Sequence, residues 1–324
     1  MRAFVTGGTG FIGSHLADRL MEENAVTEVR CLVRNREKWL RDKSYTKIEG
    51  DLADTSVLTK ALEGVDVLFH AAALVKAPTR EEYKKANVDA TVNIVRIAAE
   101  RGVKKIVILS SLAAAGPSSG RPLTEEDPLR PISMYGESKK NMEQSILNTD
   151  TKGLSISILR PPAVYGPREN QIYTWFRLVN KGICPIVGDG KKPQLSMIYI
   201  SDLIDGIWLA ANESVPGVRS YFITGPDINN WNQIKNISSK VLARKPVPLY
   251  IRPGWVRQLA GLVESTASAF GAYPVFNREK ANEMVLEWTC TSDKAAAELH
   301  YIPKISLETG ISQTIHWYKK NNWL

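Results

Sequence analysis

Near the start of the chain a short apolar run, Arg2–Val5, passes through Thr6-Gly7-Gly8-Thr9-Gly10-Phe11-Ile12-Gly13 into the helical pattern Ser14–Met21. A strand, a turn with glycine at every third position and a helix leave few folds open. Such a turn brings backbone N–H groups up to a pyrophosphate, and the helix N-terminus adds partial positive charge. The spacing Gly7, Gly10, Gly13 is not the commonest dinucleotide spacing. A tight turn with no ligand is the plain alternative, and the flanking strand and helix argue against it.

The pattern then repeats. Glu28–Val33, Lys47–Glu49, Asp66–His70, Lys105–Leu109 and Leu154–Leu159 read as strands, with a long helical stretch from about Arg80 to Arg101. Strands alternating with helices predict an α/β fold with a Rossmann-type doubly wound parallel sheet, its ligand crevice at the carboxyl ends of the strands. Chemistry-bearing residues stand at those ends. Arg34 follows the second strand, where an acid would bind ribose hydroxyls and an Arg accommodates a 2′-phosphate, so Arg34, with Lys38, points to NADP rather than NAD. A plain surface Arg is the alternative. Ala71, Ala72 and Ala73 follow the fourth strand and would let a flat ligand approach the backbone, or simply pack. Ser110 and Ser111 follow the fifth, where a hydroxyl would face the crevice.

A loop rich in Pro, Ser and Gly, Gly116–Pro131, leads to Ser133-Met-Tyr-Gly-Glu-Ser-Lys139, which opens a helix through about Leu147. Tyr135 and Lys139 stack on one face of that helix. An ammonium beside a phenol lowers a pKa that is about 10 in free Tyr, as proton transfer to a carbonyl oxygen requires. The pair alone is common on solvated helices; its weight comes from the upstream turn.

After Arg160-Pro-Pro-Ala-Val-Tyr-Gly-Pro167 the rhythm loosens, with strands near Met197–Ile200 and Tyr221–Thr224 and seven of the eight tryptophans beyond residue 170. We expect residues 1–165 to form the dinucleotide-binding unit, with 196–225 returning to it, and 166–195 and 226–324 to form a smaller mixed α/β substrate cap. Within that cap, Pro248–Phe276 carries Leu249, Tyr250, Ile251, Trp255, Val256, Leu259, Leu262, Val263, Phe270, Tyr273 and Phe276. These would line an apolar pocket or fill the cap's core. Trp255–Val263, with Arg252 and Arg257, also fits an amphipathic helix at a membrane surface.

The formal net charge of +8 attracts phosphates, but its cations are spread, with short clusters at Arg34–Lys43 and Lys191-Lys192, and form no nucleic-acid arm. Cys31, Cys184 and Cys290 match neither a disulfide framework nor a metal spacing, so no metal site and a reduced, cytoplasmic protein are expected. Met1-Arg2 runs straight into the first strand, leaving no room for a cleavable signal, and no apolar run approaches the length of a membrane span. His15, His70, His300 and His316 form no spacing motif and read as packing or surface residues.

Taken in order, several motifs resemble the extended short-chain dehydrogenase/reductase family, in its epimerase/dehydratase-like group. They are the glycine turn, Gly50-Asp51-Leu52, His70-Ala-Ala-Ala73, Asn87-Val-Asp89, Ser110-Ser111, Tyr135-Gly-Glu-Ser-Lys139, Arg160–Pro167 and Tyr199-Ile-Ser-Asp202. The resemblance implies that Ser111 holds the substrate oxygen, Tyr135 exchanges its proton and Lys139 binds the nicotinamide ribose, with Asn87 nearby. It gives the pyrophosphate to Gly7, Gly10, Phe11, Ile12 and Gly13 and the adenine border to Asp51 and Leu52. Ala71, Ala72, Ala73 and Pro162 complete the cofactor contacts. It also implies a homodimer through the Val88–Ala99 stretch and the Tyr135 helix, apolar faces that core packing explains almost as well.

Nucleotide-sugar members of that family usually carry an Asn where this chain has Ala163 and an Arg where it has Leu195. A buried diphosphate would then lack partners, unless Arg168, Arg177 or Lys191 substitutes. Arg34 and the ending Leu307–Leu324 resemble the dihydroflavonol-reductase and 3-beta-hydroxysteroid-dehydrogenase branch. That branch implies an NADP-dependent oxidoreductase for a small-molecule hydrophobic secondary alcohol or ketone, steroid-, flavonoid- or lipid-like. A nucleotide-sugar epimerase or dehydratase with tightly bound NAD is the first alternative. A non-catalytic dinucleotide-binding regulatory subunit is the second.

Overall fold

A computed structural model of the chain describes residues 1–269, 274 and 277–324. Strand β1 (Arg2–Thr6) is buried from Ala3 onward and delivers the chain to α1 (Phe11–Glu22), which packs Leu16, Ala17 and Leu20 inward. The alternation continues through β2 (Glu28–Val33), β3 (Thr46–Glu49), α2 (Thr55–Ala61), β4 (Val67–His70) and α3 (Arg80–Tyr83). A π-helical turn, Lys84–Asp89, joins α3 to α4 (Ala90–Glu100), so the long helix expected there is one rod with a bulge in it. Then come β5 (Lys105–Leu109), the short α5 (Leu112–Ala115), α6 (Met134–Leu147) and β6 (Ser155–Arg160).

The chain goes on through β7 (Ala163–Tyr165), α7 (Gln171–Asn180), β8 (Ile183–Val187), β9 (Gln194–Tyr199), α8 (Ile200–Asn212) and β10 (Gly217–Phe222). It ends with β11 (Ile228–Asn230), α9 (Trp231–Leu242), β12 (Val247–Ile251), α10 (Pro253–Ala269), α11 (Arg278–Met284), α12 (Asp293–Leu299) and α13 (Leu307–Lys320). Among the described residues, seven strands form one sheet in the order β10-β6-β5-β4-β1-β2-β3. Every pair in it is parallel. This is the doubly wound parallel fold the strand rhythm predicts. β5 and β6 are buried at every position, because helices cover both faces of such a sheet.

From β1 the chain winds outward to β3, then crosses back to β4 on the other side of β1. That reversal opens the crevice between the carboxyl ends of β1 and β4. β10 starts at Gly217, earlier than the Tyr221 expected from the sequence, because Val218–Ser220 extend the pairing with Ile156–Ile158 although they are only half-buried. Two small sheets, β11-β9-β7 and β12-β8, stand beside the large one. One buried cluster runs unbroken from Val5 and Leu16 to Ile311 and Tyr318, so both parts of the chain share it. A second, on the other face, takes Val88, Ile94 and Val95 with Met142 and Ile146. The apolar residues of α4 and α6 are thus largely turned into their own core. Phe270, Tyr273 and Phe276 lie outside the described residues. Among the described residues no helix is long and apolar enough to cross a membrane.

Candidate active site

The glycine turn is dictated by close approach. Gly7 holds φ +76°, and a Cβ there would stand 2.6 Å from the Ala72 amide nitrogen. A Cβ on Gly13 would stand 2.2 Å from the Gly7 carbonyl oxygen. Bare backbone at these two positions lets α1 begin directly against the ends of β1 and β4. Gly10 donates to the Gly7 carbonyl at 2.9 Å and N-caps α1 with no side chain, and the first turn carries no acid. The N–H groups of Phe11, Ile12 and Gly13 therefore end the helix without intrahelical partners, as an anion site requires. This uncapped cradle fits a dinucleotide pyrophosphate.

Around it lie the other expected cofactor residues. The Arg34 side chain is 75% exposed at the end of β2, its Nη1 3.6 Å from the half-exposed Asp51 carboxylate. Such a pair contributes little and leaves the guanidinium free to turn toward another anion. Lys38 is exposed on the next turn, and Leu52 is half-buried against the second core cluster. Ala71 and Ala72 hang from Thr6, through its carbonyl at 3.2 Å and its hydroxyl at 3.4 Å. Ala73 is exposed, whereas Pro162 is buried beside Pro161, whose carbonyl accepts from Leu112 N–H at 2.9 Å.

Ser111 N-caps α5, accepting from Ala113 N–H at 3.1 Å, and its hydroxyl lies near enough to the Tyr135 hydroxyl to favour the phenolate. Two features bring Tyr135 there. Ser133 caps α6, and Gly136 lets the helix press on the Ser111 turn, since a Cβ would lie 2.3 Å from the Ala113 carbonyl oxygen. Lys139 is 3% exposed and donates to the Leu109 carbonyl at 2.8 Å, at the end of β5. Burial pulls its ammonium down to about 8, with the Glu143 carboxylate opposing. The phenol corrects the sequence expectation. Burial pushes Tyr135 up to about 12, the Ser111 hydroxyl offsets only part of this, and Glu283 and Tyr83 add to it. Desolvation thus decides the direction, and the phenol is held protonated.

Asn87 sits in the π-helical turn with its side chain fully engaged. Its Oδ1 accepts from Leu74 N–H at 2.7 Å, and its Nδ2 donates to the Leu74 carbonyl and the Ser138 hydroxyl, both at 2.9 Å. It ties the loop after β4 to α6 rather than reaching Tyr135 or Lys139. His70, read as packing or surface, is buried with both ring nitrogens bonded: Nδ1 to the Thr6 hydroxyl at 2.8 Å and Nε2 to the Thr91 hydroxyl at 2.9 Å. Burial pulls it down to about 3, with Lys139 adding to the effect, so the ring is neutral.

One group escaped the sequence reading. Ser110 donates to Glu143 at 2.5 Å, and Arg160 grips the same carboxylate, Nη2 to Oε2 at 2.6 Å. All three are buried, and the Arg160 guanidinium lies over the Phe222 ring at 5.5 Å. Spacing marks Glu143 alone, one helical turn after Lys139 on the same face, and gives no sign of its partners. Two of the three candidate diphosphate substitutes, Arg168 and Arg177, are engaged elsewhere. Arg168 donates to Ser14 at 3.0 Å and Asp18 at 2.7 Å and lies over Trp39, bracing α1. Arg177 lies over Tyr173 at 5.8 Å, and Lys191 is exposed on the turn beyond β8. Ala163 is exposed on β7, and Leu195, on β9, bridges to Trp288.

Comparison with known proteins agrees with this geometry. The family model described as the NAD dependent epimerase/dehydratase family matches residues 3–223. The ceramide reductase of Caulobacter vibrioides is 27% identical over 324 residues, covering 99% of this chain and 95% of that protein. YtcB of Bacillus subtilis, called an uncharacterized UDP-glucose epimerase, is 31% identical over 336 residues, 97% of each chain. The crystal structure of gox2253 matches with a TM-score of 0.82 at 30% identity, over 98% of both chains.

Proposed function

Because the chain belongs to the NAD dependent epimerase/dehydratase family, and so to the NAD(P)-dependent enzymes of extended short-chain type, we propose that it reduces a hydrophobic ketone to a secondary alcohol with NADPH. The observation that carries this is the Ser111 hydroxyl set beside the Tyr135 phenol at the strand ends, with Lys139 one turn along α6 and the glycine cradle at the start of α1. The nicotinamide, when bound, supplies or accepts the hydride. Ser111 orients the carbonyl oxygen. Tyr135, held protonated, gives that oxygen its proton, and Lys139, still largely charged at neutral pH, stabilises the tyrosinate left behind. A phenol kept neutral by burial suits a proton donor better than a base, which favours the reductive direction.

Arg34 and Lys38, exposed at the adenosine end, support a 2′-phosphate and hence NADP. Ala163 and Leu195 offer no amide or guanidinium to a nucleotide diphosphate, and the likeness to a ceramide reductase supports a lipid-like substrate. We assign its binding to residues 166–195 and 226–324. The test is absorbance at 340 nm with purified protein, NADPH or NADH, and a dispersed long-chain or steroid ketone. Turnover is expected with NADPH, and Tyr135→Phe should lower it about 10³-fold or more. Full activity in Tyr135→Phe overturns the reading. The likeness to YtcB favours a second reading, a nucleotide-sugar epimerase. NAD found by mass spectrometry in the purified protein, with thermal stabilisation by UDP-glucose, would select it.

A further inference from the structure

Strand β12 and helix α10 leave outside what the rest of the fold buries. Leu249 and Tyr250 are 48% and 52% exposed, and Trp255, Leu259 and Leu262 are 60%, 45% and 64% exposed. Among its described residues the helix buries a narrow seam, Val256 and Ala260, against Val187 and Ala281. Trp255, Leu259 and Leu262 recur at helical spacing beside that seam, so a second apolar stripe faces outward. Single exposed apolar residues need no explanation, but a contiguous group of this size does. Tyr250, Arg252 and Trp255 flank a groove of about 340 Å³ whose floor, Ile251 and Leu259, also lines an apolar cavity of about 180 Å³.

The charge leading into this stripe is basic, and the first acid beyond it on α10, Glu264, accepts from Arg278 N–H at 3.1 Å. Residues 244–263 hold Arg244, Lys245, Arg252 and Arg257 and no Asp or Glu. All four are exposed, and the bonds made by Arg244 and Arg257 go to the neutral amides of Asn180 and Asn282. A symmetric contact between two copies would bring the same cations together. A layer of phosphates would neutralise them.

We propose that the β12–α10 face docks on an anionic lipid bilayer, its apolar stripe entering the boundary between headgroups and acyl chains while Arg244, Lys245 and Arg252 meet the phosphates. The face adjoins the candidate site. α11 packs on α10, and from it Glu279 accepts Met134 N–H at 3.0 Å, at the start of the Tyr135 helix. A substrate dissolved in the membrane would then meet the cap where the enzyme touches the bilayer. That purpose, though not the docking, rests on the hydrophobic-ketone reading.

The test is sedimentation of the whole protein with vesicles of phosphatidylcholine alone or mixed equally with phosphatidylglycerol, without ketone or cofactor. Binding to the mixed vesicles is expected to exceed binding to the neutral ones about tenfold at low salt. Leu249→Ser/Trp255→Ser/Leu262→Ser and, separately, Arg244→Glu/Arg252→Glu should each lower it about tenfold or more. The Arg pair is exposed, so that variant tests the face even if the serine variant fails to fold, which a melting curve reveals. No binding by the parent overturns the proposal, as does binding unchanged in the Arg variant. A parent dimer that the serine substitutions convert to monomer, without vesicle binding, assigns the face to a second copy and also overturns it. Failure here leaves the reductase reading intact, and absence of NADPH turnover leaves the vesicle result intact.

Discussion

Lys105 opens β5, and Lys139 reaches the carbonyl of Leu109 at the other end of the same strand. Burial pulls both ammonium groups down to about 8. Lys105 donates to the hydroxyls of Ser155 and Ser157 at 3.0 and 2.8 Å, at the amino ends of the strands, with only Glu213 and Arg219 felt from further off. Lys139 stands where β5 meets α6, one helical turn after Tyr135 and one before Glu143. Both lysines are thus perturbed alike, but only Lys139 lies at the crevice end of the sheet, on the helix that carries Tyr135, the proposed proton donor. A shifted pKa nominates a group; its place at the carboxyl ends of a parallel sheet selects it.

Substituting each lysine alone tests that distinction most sharply. Lys139→Met should lower kcat/KM for ketone reduction about 10²- to 10³-fold, because the tyrosinate loses its counter-charge. Lys105→Met should leave kcat/KM within about twofold, since the strand ends it occupies face away from the crevice. Comparable losses in both variants would dissolve the comparison.

A pH profile sharpens it further. Lys139 carries its charge below about 8 and loses it above, so kcat/KM for reduction should fall as pH rises through that value, approaching tenfold per unit. The limb should persist unchanged in Lys105→Met. A limb that disappears with Lys105 and survives in Lys139→Met would reverse the assignment.

How much of this was readable without coordinates depends on the range of the interaction. The glycine turn was readable because Gly7 and Gly13 stand where any Cβ strikes backbone, a local demand that only one residue type meets. The nearness of Tyr135 and Lys139 is helical arithmetic. The bonds of Ser110 and Arg160 to Glu143 cross 33 and 17 positions, and those of His70 to Thr6 and Thr91 cross 64 and 21, so no spacing rule finds them. The direction of the Tyr135 shift is not legible for a related reason: burial dominates it, and the smaller charge effects of Glu283 and Tyr83 come from other elements. Strand β12 hid behind Pro248, a residue that sheets accept only at their edges, which is where the two-stranded β12-β8 pair puts it.

The smallest effect concerns stability and falls on the lysine without a role in the chemistry. Lys105 has its pKa lowered from 10.5 to about 8 on folding, so between those values the unfolded chain binds more protons than the native one. Its contribution to stability accordingly rises with pH across that window and is flat below it. At pH 7 the native state carries a buried ammonium paired only with hydroxyls, a desolvation penalty that the methionine in Lys105→Met does not incur. The gain is reduced because Ser155 and Ser157 lose a donor, leaving a net stabilisation on the order of 1 kcal/mol. Urea unfolding of both proteins at pH 7 and pH 10 measures this: the variant should be the more stable at pH 7 and the difference should shrink by pH 10. A variant less stable at pH 7 would mean that the two serine bonds outweigh the desolvation, and that Lys105, unlike Lys139, is held in the fold as a structural cation.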